Sequence, residues 1–586
     1  MTFLKKKVVE NDCHSFLAPP PFRKIMPCIA QPQSDALKSP ADTDQKEAFE
    51  AIRQAILTHK VGGKFWEKPL ARPFHAILSL PEDCEFSTAQ AALNSLTLTF
   101  SQSDILLLAP SLTHQARKLA RSLKLSCAGA DKLDPHALTE TVKGMVAVTP
   151  RTFQLDVCLL ASLHGISVAL WDLPEKPTEI LTAPKALSII FQKTRYFNPF
   201  TGQETDCLSV IELLALWKRT LLANRQIGAC MGMSLWKRPQ ISAFFAKAPG
   251  QPRFFQSPSR AIATCKRLGE FKIAIWATRL PSGIKFALER ANLHLVLVED
   301  GFVRSIGLGS ALQPPASIFL DTRGAYYDPA KASDLEHILA THHFSASLLA
   351  RAHTVLERLR TKGISKYGRA TSAPTTTRHA GDRPRLLVPG QVADDLSVLR
   401  GGGKIQDNFS LLKAVRIAHP GAYIIYRPHP DVEGGYRKGA LPDQEVLTLA
   451  NEVSRGGNIT ELLTQTDEVH TLTSLAGFEA LIRNIPVTTY GTPFYAGWGL
   501  TEDRGVIPPR RNRALSLIEL VAGTLLVYPR YLDPVTLLPC PMETVLDRFE
   551  QPGAWSPTYW MRLRGLQIRL HKKLFTLCRQ LLFFYR

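Results

Sequence analysis

The chain has 586 residues, with 71 Lys and Arg against 51 Asp and Glu, a formal charge of +20. Hydrophobic residues make up 45% and charged residues 21%, a globular balance that excludes a largely disordered, collagen-like or low-complexity chain and at this length points to several domains. The charge asks for an anionic partner and by itself leaves nucleic acid, a phospholipid surface and a nucleotide sugar open.

The opening residues, MTFLKKKVVENDCHSF, lack a long apolar h-region, and no later run reaches the roughly 18 apolar residues that cross a bilayer, so the expectation is an intracellular chain without a spanning segment. The ten cysteines are scattered without a CxxC pair, which predicts buried thiols in a reducing compartment and no structural zinc. Up to residue 65, PQSDALKSPADTDQ predicts a poorly ordered lead-in, followed by one helix over QKEAFEAIRQAIL. Beyond it, short apolar runs (HAILSL, DILLLA, ISVALWDL, KIAIWA, LHLVLVED, RLLVPG, AYIIYRP, PVTTYG) alternate with helical stretches, the pattern of parallel α/β sheets. YGRATSAPTTTRHAGDRPR has no apolar period and reads as a linker between two such sheets. Three echoes, RYFNPFT with RYLDPVT, GISVALWDLP with NIPVTTYGTP, and RPFHAILSLPED with RPRLLVPGQVADD, make the N-terminal third a worn copy of the C-terminal sheet. The last 28 residues, from Tyr559, carry seven cations and no acid. Leu563, Leu566, Leu570, Leu574, Leu577 and Leu581 form one helical stripe there, either on an anionic membrane surface or docked on the protein's own domain.

Five islands stand where α/β strands expose their ends. GMSLWKRP offers Lys237 and Arg238 to an anion. LVLVEDGFVRSIGLGS runs a strand into Glu299 and Asp300, which alternate sides, so one is expected in a cleft while the other fixes the loop. Arg304 is then available to a substrate carboxylate; an acid pair capping an ordinary turn is the alternative. RLLVPGQVADDLSVLRGGGKIQDN presents Gln391, Asp394 and Asp395 after a Pro-Gly turn, an acid there being either a nucleophile or a helix N-cap. In AYIIYRPHPDVEGG two prolines hold Arg427 and His429 extended, and both can donate to a phosphate. In DEVHTLTSLAGFEALIRNIPVTTYGTPFYAGWGL, Thr473 or Ser474 caps a helix whose amides favour a phosphate, and Glu479 lies about a turn further in. Phe494, Tyr495 and Trp498, set between glycines, form an aromatic wall or lid, or else a patch buried under a loop.

In this order EDGFVRSIGLGS, DTRGAYYDPAKASDLEHIL, VPGQVADD, YRPHPDV, HTLTSLAGFEALI and YGTPFYAGWGL resemble the KpsC/LipB family of capsule polysaccharide proteins, from Ile227 to Asp547. The resemblance implies an α/β protein of the GT-B type, with two Rossmann-like domains facing across a cleft. The acceptor side spans 223–366, a linker 367–383 and the CMP-sugar side 384–547. Outside the resemblance, the sequence itself reads as a lead-in and helix over 1–65, a degenerate, non-catalytic α/β domain over 66–222, and a basic amphipathic helical tail over 548–586. The activity it implies is retaining transfer of Kdo from CMP-Kdo to a phospholipid-linked acceptor in capsule linker biosynthesis and export. Glu299 is then the general acid/base beside Asp300. Asp395, in a Gln-x-x-x-Asp pattern with Gln391, is the nucleophile, with Asp394 in reserve. Arg427, His429, Thr473 and Ser474 hold the donor phosphate, Glu479 the ribose, and Arg304, Lys237, Tyr495 and Trp498 the sugar and acceptor. The donor is a substrate, and neither cofactor nor metal is implied. The implied partners are a glycolipid acceptor, the anionic cytoplasmic face of the inner membrane and other capsule proteins, not nucleic acid. Family members often carry two complete transferase modules, whereas the N-terminal third here lacks the islands, with Cys84 standing where an acid would align. The alternative is a catalytically silent partner of the capsule assembly and export machinery.

Overall fold

The computed structural model describes residues 16–22, 29–32, 42–148, 152–171, 179–191, 194–248, 250–307, 312–369, 383–435, 437–556 and 563. Apart from Leu563, the basic tail expected at the C-terminus lies outside the described residues from 557 onward, as do most of the lead-in and most of the linker. Among the described residues no helix is long and apolar enough to cross a membrane. The chain divides into two compact units, Met1–Asn224 with Ala246–Gly250, and Arg225–Phe245 with Gln251–Arg586.

The first unit contains β1 (Ala30–Pro32), β2 (Ala76–Ser79), β3 (Ile105–Ala109), β4 (Ser126–Gly129), β5 (Gly144–Val148), β6 (Val168–Trp171), β7 (Glu179–Leu181), β8 (Thr194–Phe197) and β9 (Glu204–Thr205). Among the described residues its main sheet runs β4-β3-β2-β5-β6-β7, parallel except for β7. Helices cover such a sheet on its faces, which is why β3 is the unbroken apolar run ILLLA with every residue buried. Beside it, β8 pairs antiparallel with β1 and turns back into β9.

The second unit begins with β10 (Ile227–Met231), β11 (Phe254–Phe255), β12 (Lys272–Trp276), β13 (His294–Asp300) and β14 (Ser317–Asp321). The short hairpin β15 (Ile364–Ser365) and β16 (Gly368–Arg369) then leads to β17 (Arg385–Pro389), β18 (Tyr423–Arg427), β19 (Glu452–Val453), β20 (Glu468–Thr471), β21 (Val487–Thr489) and β22 (Glu502–Asp503). After them come β23 (Arg530–Leu532), β24 (Pro539–Cys540), a helix over Met542–Phe549 and a short 3-10 turn over Pro552–Trp555. Two sheets result, β11-β10-β12-β13-β14-β23-β24 and β19-β18-β17-β20-β21-β22, the pair of Rossmann-like halves that the resemblance implies.

Two features depart from the expectation. The first sheet is mixed, because β14 runs antiparallel to β13 and β23 antiparallel to β14. A parallel return needs a crossover of a dozen or more residues, usually a helix, and the described part of the connection after Asp300 has none, so the chain reverses. β23 also takes residues expected in the 384–547 domain back into the sheet of the first half.

The three sequence echoes fall on equivalent strands. β2 and β17 are third in their sheets and β6 and β21 fifth, within one shared strand order. RYFNPFT and RYLDPVT form the same hairpin. Asn198 Oδ1 accepts from the amides of Phe200 and Thr201, Asp533 accepts from those of Val535 and Thr536, and Thr201 and Thr536 each cap the amide two residues on. The Tyr196 and Tyr531 hydroxyls each donate to the carbonyl six residues earlier. Position by position, however, β3 ends Ala109-Pro110-Ser111 where β18 ends Arg427-Pro428-His429, so the first unit shares the strand order without the Arg-Pro-His letters.

Within the second unit a buried carboxylate ties the two halves. Glu336, on the helix Asp334–Thr341, accepts from Arg511 Nε at 2.8 Å and also pairs with Arg510. Arg511 is buried as well and donates to the carbonyls of Pro493 and Ala496. Glu336→Ala leaves a buried guanidinium without its counter-ion, an expected loss of about 3–5 kcal/mol. A melting curve that does not move would contradict it.

Candidate active site

A cavity of about 1160 Å³ lies between the strand ends of the two halves. The first half contributes Glu299, Asp300, Tyr326 and Tyr327, the second Asp395, Arg427, His429 and Ser474, and the β15–β16 hairpin contributes Lys366.

Glu299 and Asp300 are the last residues of β13, and both line the cavity. Only glycine fits next, since a Cβ on Gly301 would stand 2.0 Å from Ser317 Oγ on the neighbouring strand. The two acids have opposite surroundings. Burial favours the neutral form of Asp300, but Arg304 (2.9 Å) and Lys237 (3.1 Å) outweigh it and hold this carboxyl well below its usual range. Glu299 is pushed up to about 7, by burial first and then by the charge of Asp300. Its Oε1 accepts from the Asp300 amide, while its buried Oε2 has no hydrogen-bond partner among the described residues. An ionised acid beside one poised near neutrality is the usual arrangement for proton transfer.

On the facing edge, Asp395 caps the helix Leu396–Gly401, its Oδ1 accepting from the Ser397 amide at 2.9 Å. Tyr326 and Tyr327 both feel the charges of Glu299 and Asp395, so the two carboxylates approach the same aromatic wall from opposite halves. His429 Nδ1 accepts from the Asp431 amide, which puts the ring proton on Nε2, and burial holds the imidazole neutral. Ser474 caps the helix Leu475–Ile482, leaving its N-terminus at the cavity. Arg427 is buried and donates to the Gly457 carbonyl at 2.7 Å, and Glu479 accepts from the Lys366 amide at 2.9 Å.

Several expected contacts are taken up by the protein itself. Arg304, expected to be available to substrate, is 1% exposed, ion-paired to Asp300 and hydrogen-bonded to Ser305 and the Gln313 carbonyl. Lys237 is held between Asp300 and the Trp276 ring, 3.6 Å from its centroid. Gln391 locks the ends of β17 and β20 together, its amide donating to Thr473 Oγ1 and accepting from the Thr473 N–H, so both residues act through geometry. Asp394 is exposed and paired with Arg437 at 2.9 Å. The aromatic lid is core instead, because Tyr495 and Trp498 are fully buried. The Tyr495 hydroxyl donates to the Ser474 carbonyl and its ring fills the space that a side chain on Gly477 would need. Of that loop's aromatics Phe494 lines the cavity, stacked on Phe302 with centroids 4.5 Å apart.

Sequence reasoning assigned no role to Tyr326, Tyr327 or Lys366. The tyrosines stand in DTRGAYYDP, held by Asp321, which accepts from the amides of Gly324 and Asp334 and from the Tyr528 hydroxyl. Lys366 stands at the boundary drawn for the linker, where its only signal is a lysine between two short extended pairs.

The family described as capsule polysaccharide biosynthesis protein matches residues 272–358 and 340–531. Capsule polysaccharide modification protein LipA of Neisseria meningitidis is 41% identical over 363 residues, 60% of this chain and 50% of the relative. Lipopolysaccharide-processing protein LpsZ of Rhizobium meliloti is 36% identical over 304 residues, 51% of this chain and 69% of the relative. Among solved structures, KpsC of Thermosulfurimonas dismutans, a β-Kdo 2,7 transferase, is 36% identical over 55% of this chain and 97% of its own, with a TM-score of 0.44. The chain spans about half the length of the LipA relatives. With its matched region covering both halves of the second unit and most of LpsZ, the chain belongs to the KpsC/LipB family of capsule polysaccharide biosynthesis proteins.

Proposed function

We propose that the chain is a retaining glycosyltransferase that moves Kdo from CMP-Kdo to a phospholipid-linked acceptor in capsule biosynthesis, working at the cytoplasmic face of the inner membrane with other capsule proteins. The observation that carries this reading is the pair of carboxylates, Glu299 raised toward neutrality with an unpartnered oxygen, and Asp395 at a helix N-terminus. In the first step the Asp395 carboxylate attacks the anomeric carbon. The bond to the cytidylate phosphate breaks and CMP leaves with the bonding electrons, its charge met by His429 and the helix amides after Ser474. In the second, the acceptor hydroxyl oxygen attacks the same carbon, its proton passes to Glu299, and Asp395 departs as a carboxylate, so two inversions retain configuration. Glu479 is the group for the ribose. The donor is a substrate, and the scheme uses neither cofactor nor metal.

Incubating the protein with CMP-Kdo and a synthetic glycolipid acceptor is expected to release CMP and extend the acceptor by one sugar. A folded protein that releases no CMP would overturn the assignment and leave the role of silent assembly partner.

A further inference from the structure

We propose that Lys366 holds the carboxylate of the donor's sugar acid and thereby selects a carboxylated donor; the inference rests on reading the cavity as a Kdo-transfer site. In such a donor the carboxylate sits on the anomeric carbon itself, so its cation must stand at the reaction centre, within reach of both Glu299 and Asp395. Of the other cavity cations, Arg304 and Lys237 close on Asp300, Arg437 on Asp394, and Arg427 on the Gly457 carbonyl. Arg369 lines the rim as an exposed residue at the end of β16.

Lys366 is held differently. Its amide donates to Glu479 in the second half, and its carbonyl accepts from the amides of Arg304 and Ser305 in the first, at 3.2 and 3.3 Å. The backbone is thus fixed from both sides while the side chain lines the cavity. The ammonium stands 5.3 Å from the centroid of the Tyr367 ring and forms no ion pair among the described residues. Its charge is felt by Glu299, Asp300, His429 and Glu479, the groups that surround the place of reaction. Burial works against its charge, but the Tyr367 ring and the carboxylate of Asp300 outweigh it and hold the ammonium above its ordinary value. A cation there removes the repulsion that Asp395 otherwise meets on approaching a carbon that carries a carboxylate.

Calorimetric titration of the full chain with CMP and with CMP-Kdo tests this, with Asp395→Asn throughout so that the donor is bound and not cleaved; in that background wild type at position 366 is compared with Lys366→Gln and Lys366→Arg. Lys366→Gln is expected to weaken CMP-Kdo binding about tenfold to a hundredfold, as for a lost charge-assisted hydrogen bond. Its affinity for CMP, which lacks the carboxylate, stays as in wild type, and Lys366→Arg recovers most of the loss. Equal weakening of CMP and CMP-Kdo would make Lys366 a phosphate ligand and overturn the proposal, as would unchanged CMP-Kdo binding or a wild type that binds both ligands equally. Lys366-dependent discrimination, where the unsubstituted chain transfers no sugar, would overturn the transferase reading and leave the carboxylate site standing.

Discussion

Asp395→Asn is expected to lower sugar transfer by ~10⁴-fold or more, the scale seen when a covalent nucleophile is removed. Asparagine caps a helix about as well as aspartate, so the Leu396–Gly401 helix keeps its bond to the Ser397 amide and the loss reports chemistry rather than folding. Intact mass gives the second readout. With CMP-Kdo and no acceptor, wild type gains the mass of one Kdo residue and the variant gains nothing. Asp394→Asn removes only an exposed pair with Arg437 and is expected to change the rate little. An adduct that persists in Asp395→Asn and vanishes in Asp394→Asn would exchange the two roles.

Glu299→Gln is expected to cost about 10²- to 10⁴-fold, the usual worth of a positioned base, and to remove a limb of the pH profile. Burial and the Asp300 charge raise Glu299 to about 7. Below that pH the carboxyl is protonated and cannot take the acceptor's proton, so kcat/KM rises as pH climbs through the value. Glutamine cannot titrate, and its profile is flat there. Because the first step uses Asp395 and not Glu299, the variant should also accumulate the sugar adduct with acceptor present, which a general loss of structure would not produce. Asp300→Asn should move the limb to lower pH, since it removes the charge that helps hold Glu299 up. A limb that stays in Glu299→Gln would assign the titration to another group.

The strands and the order of the halves were readable because β3, β13, β17 and β18 are apolar runs ending in turn-forming letters, and Glu299, Asp300, Asp395 and His429 stand at those ends. What the letters lack is the partner. The reach of Arg304 back to Asp300 within one loop, and of Gln391 across to Thr473, is set by side-chain direction, which carries no sequence period. Tyr495 and Trp498 between glycines fit a lid and a core equally well; Gly477, leaving room beneath a helix for the Tyr495 ring, decides for core. Lys366 is not legible because its neighbourhood is assembled from distant parts of the chain, Arg304 and Ser305 on one side and Glu479, 113 positions on, on the other. The antiparallel β14 reads as one more apolar run, and only the missing crossover helix reveals its direction.

The shared strand order has a bearing on biosynthesis. Two copies of one folding plan on a single polypeptide can trade strands before either is complete, and near-identical neighbours are the most prone to it. Here the hydrogen-bonding plan is common while the side chains that pack on it differ, Leu107 and Leu108 in one central strand answering to Ile425 and Tyr426 in the other. Each nascent segment therefore meets a core shaped for itself, and the divergence of side chains between the two copies keeps them from entangling.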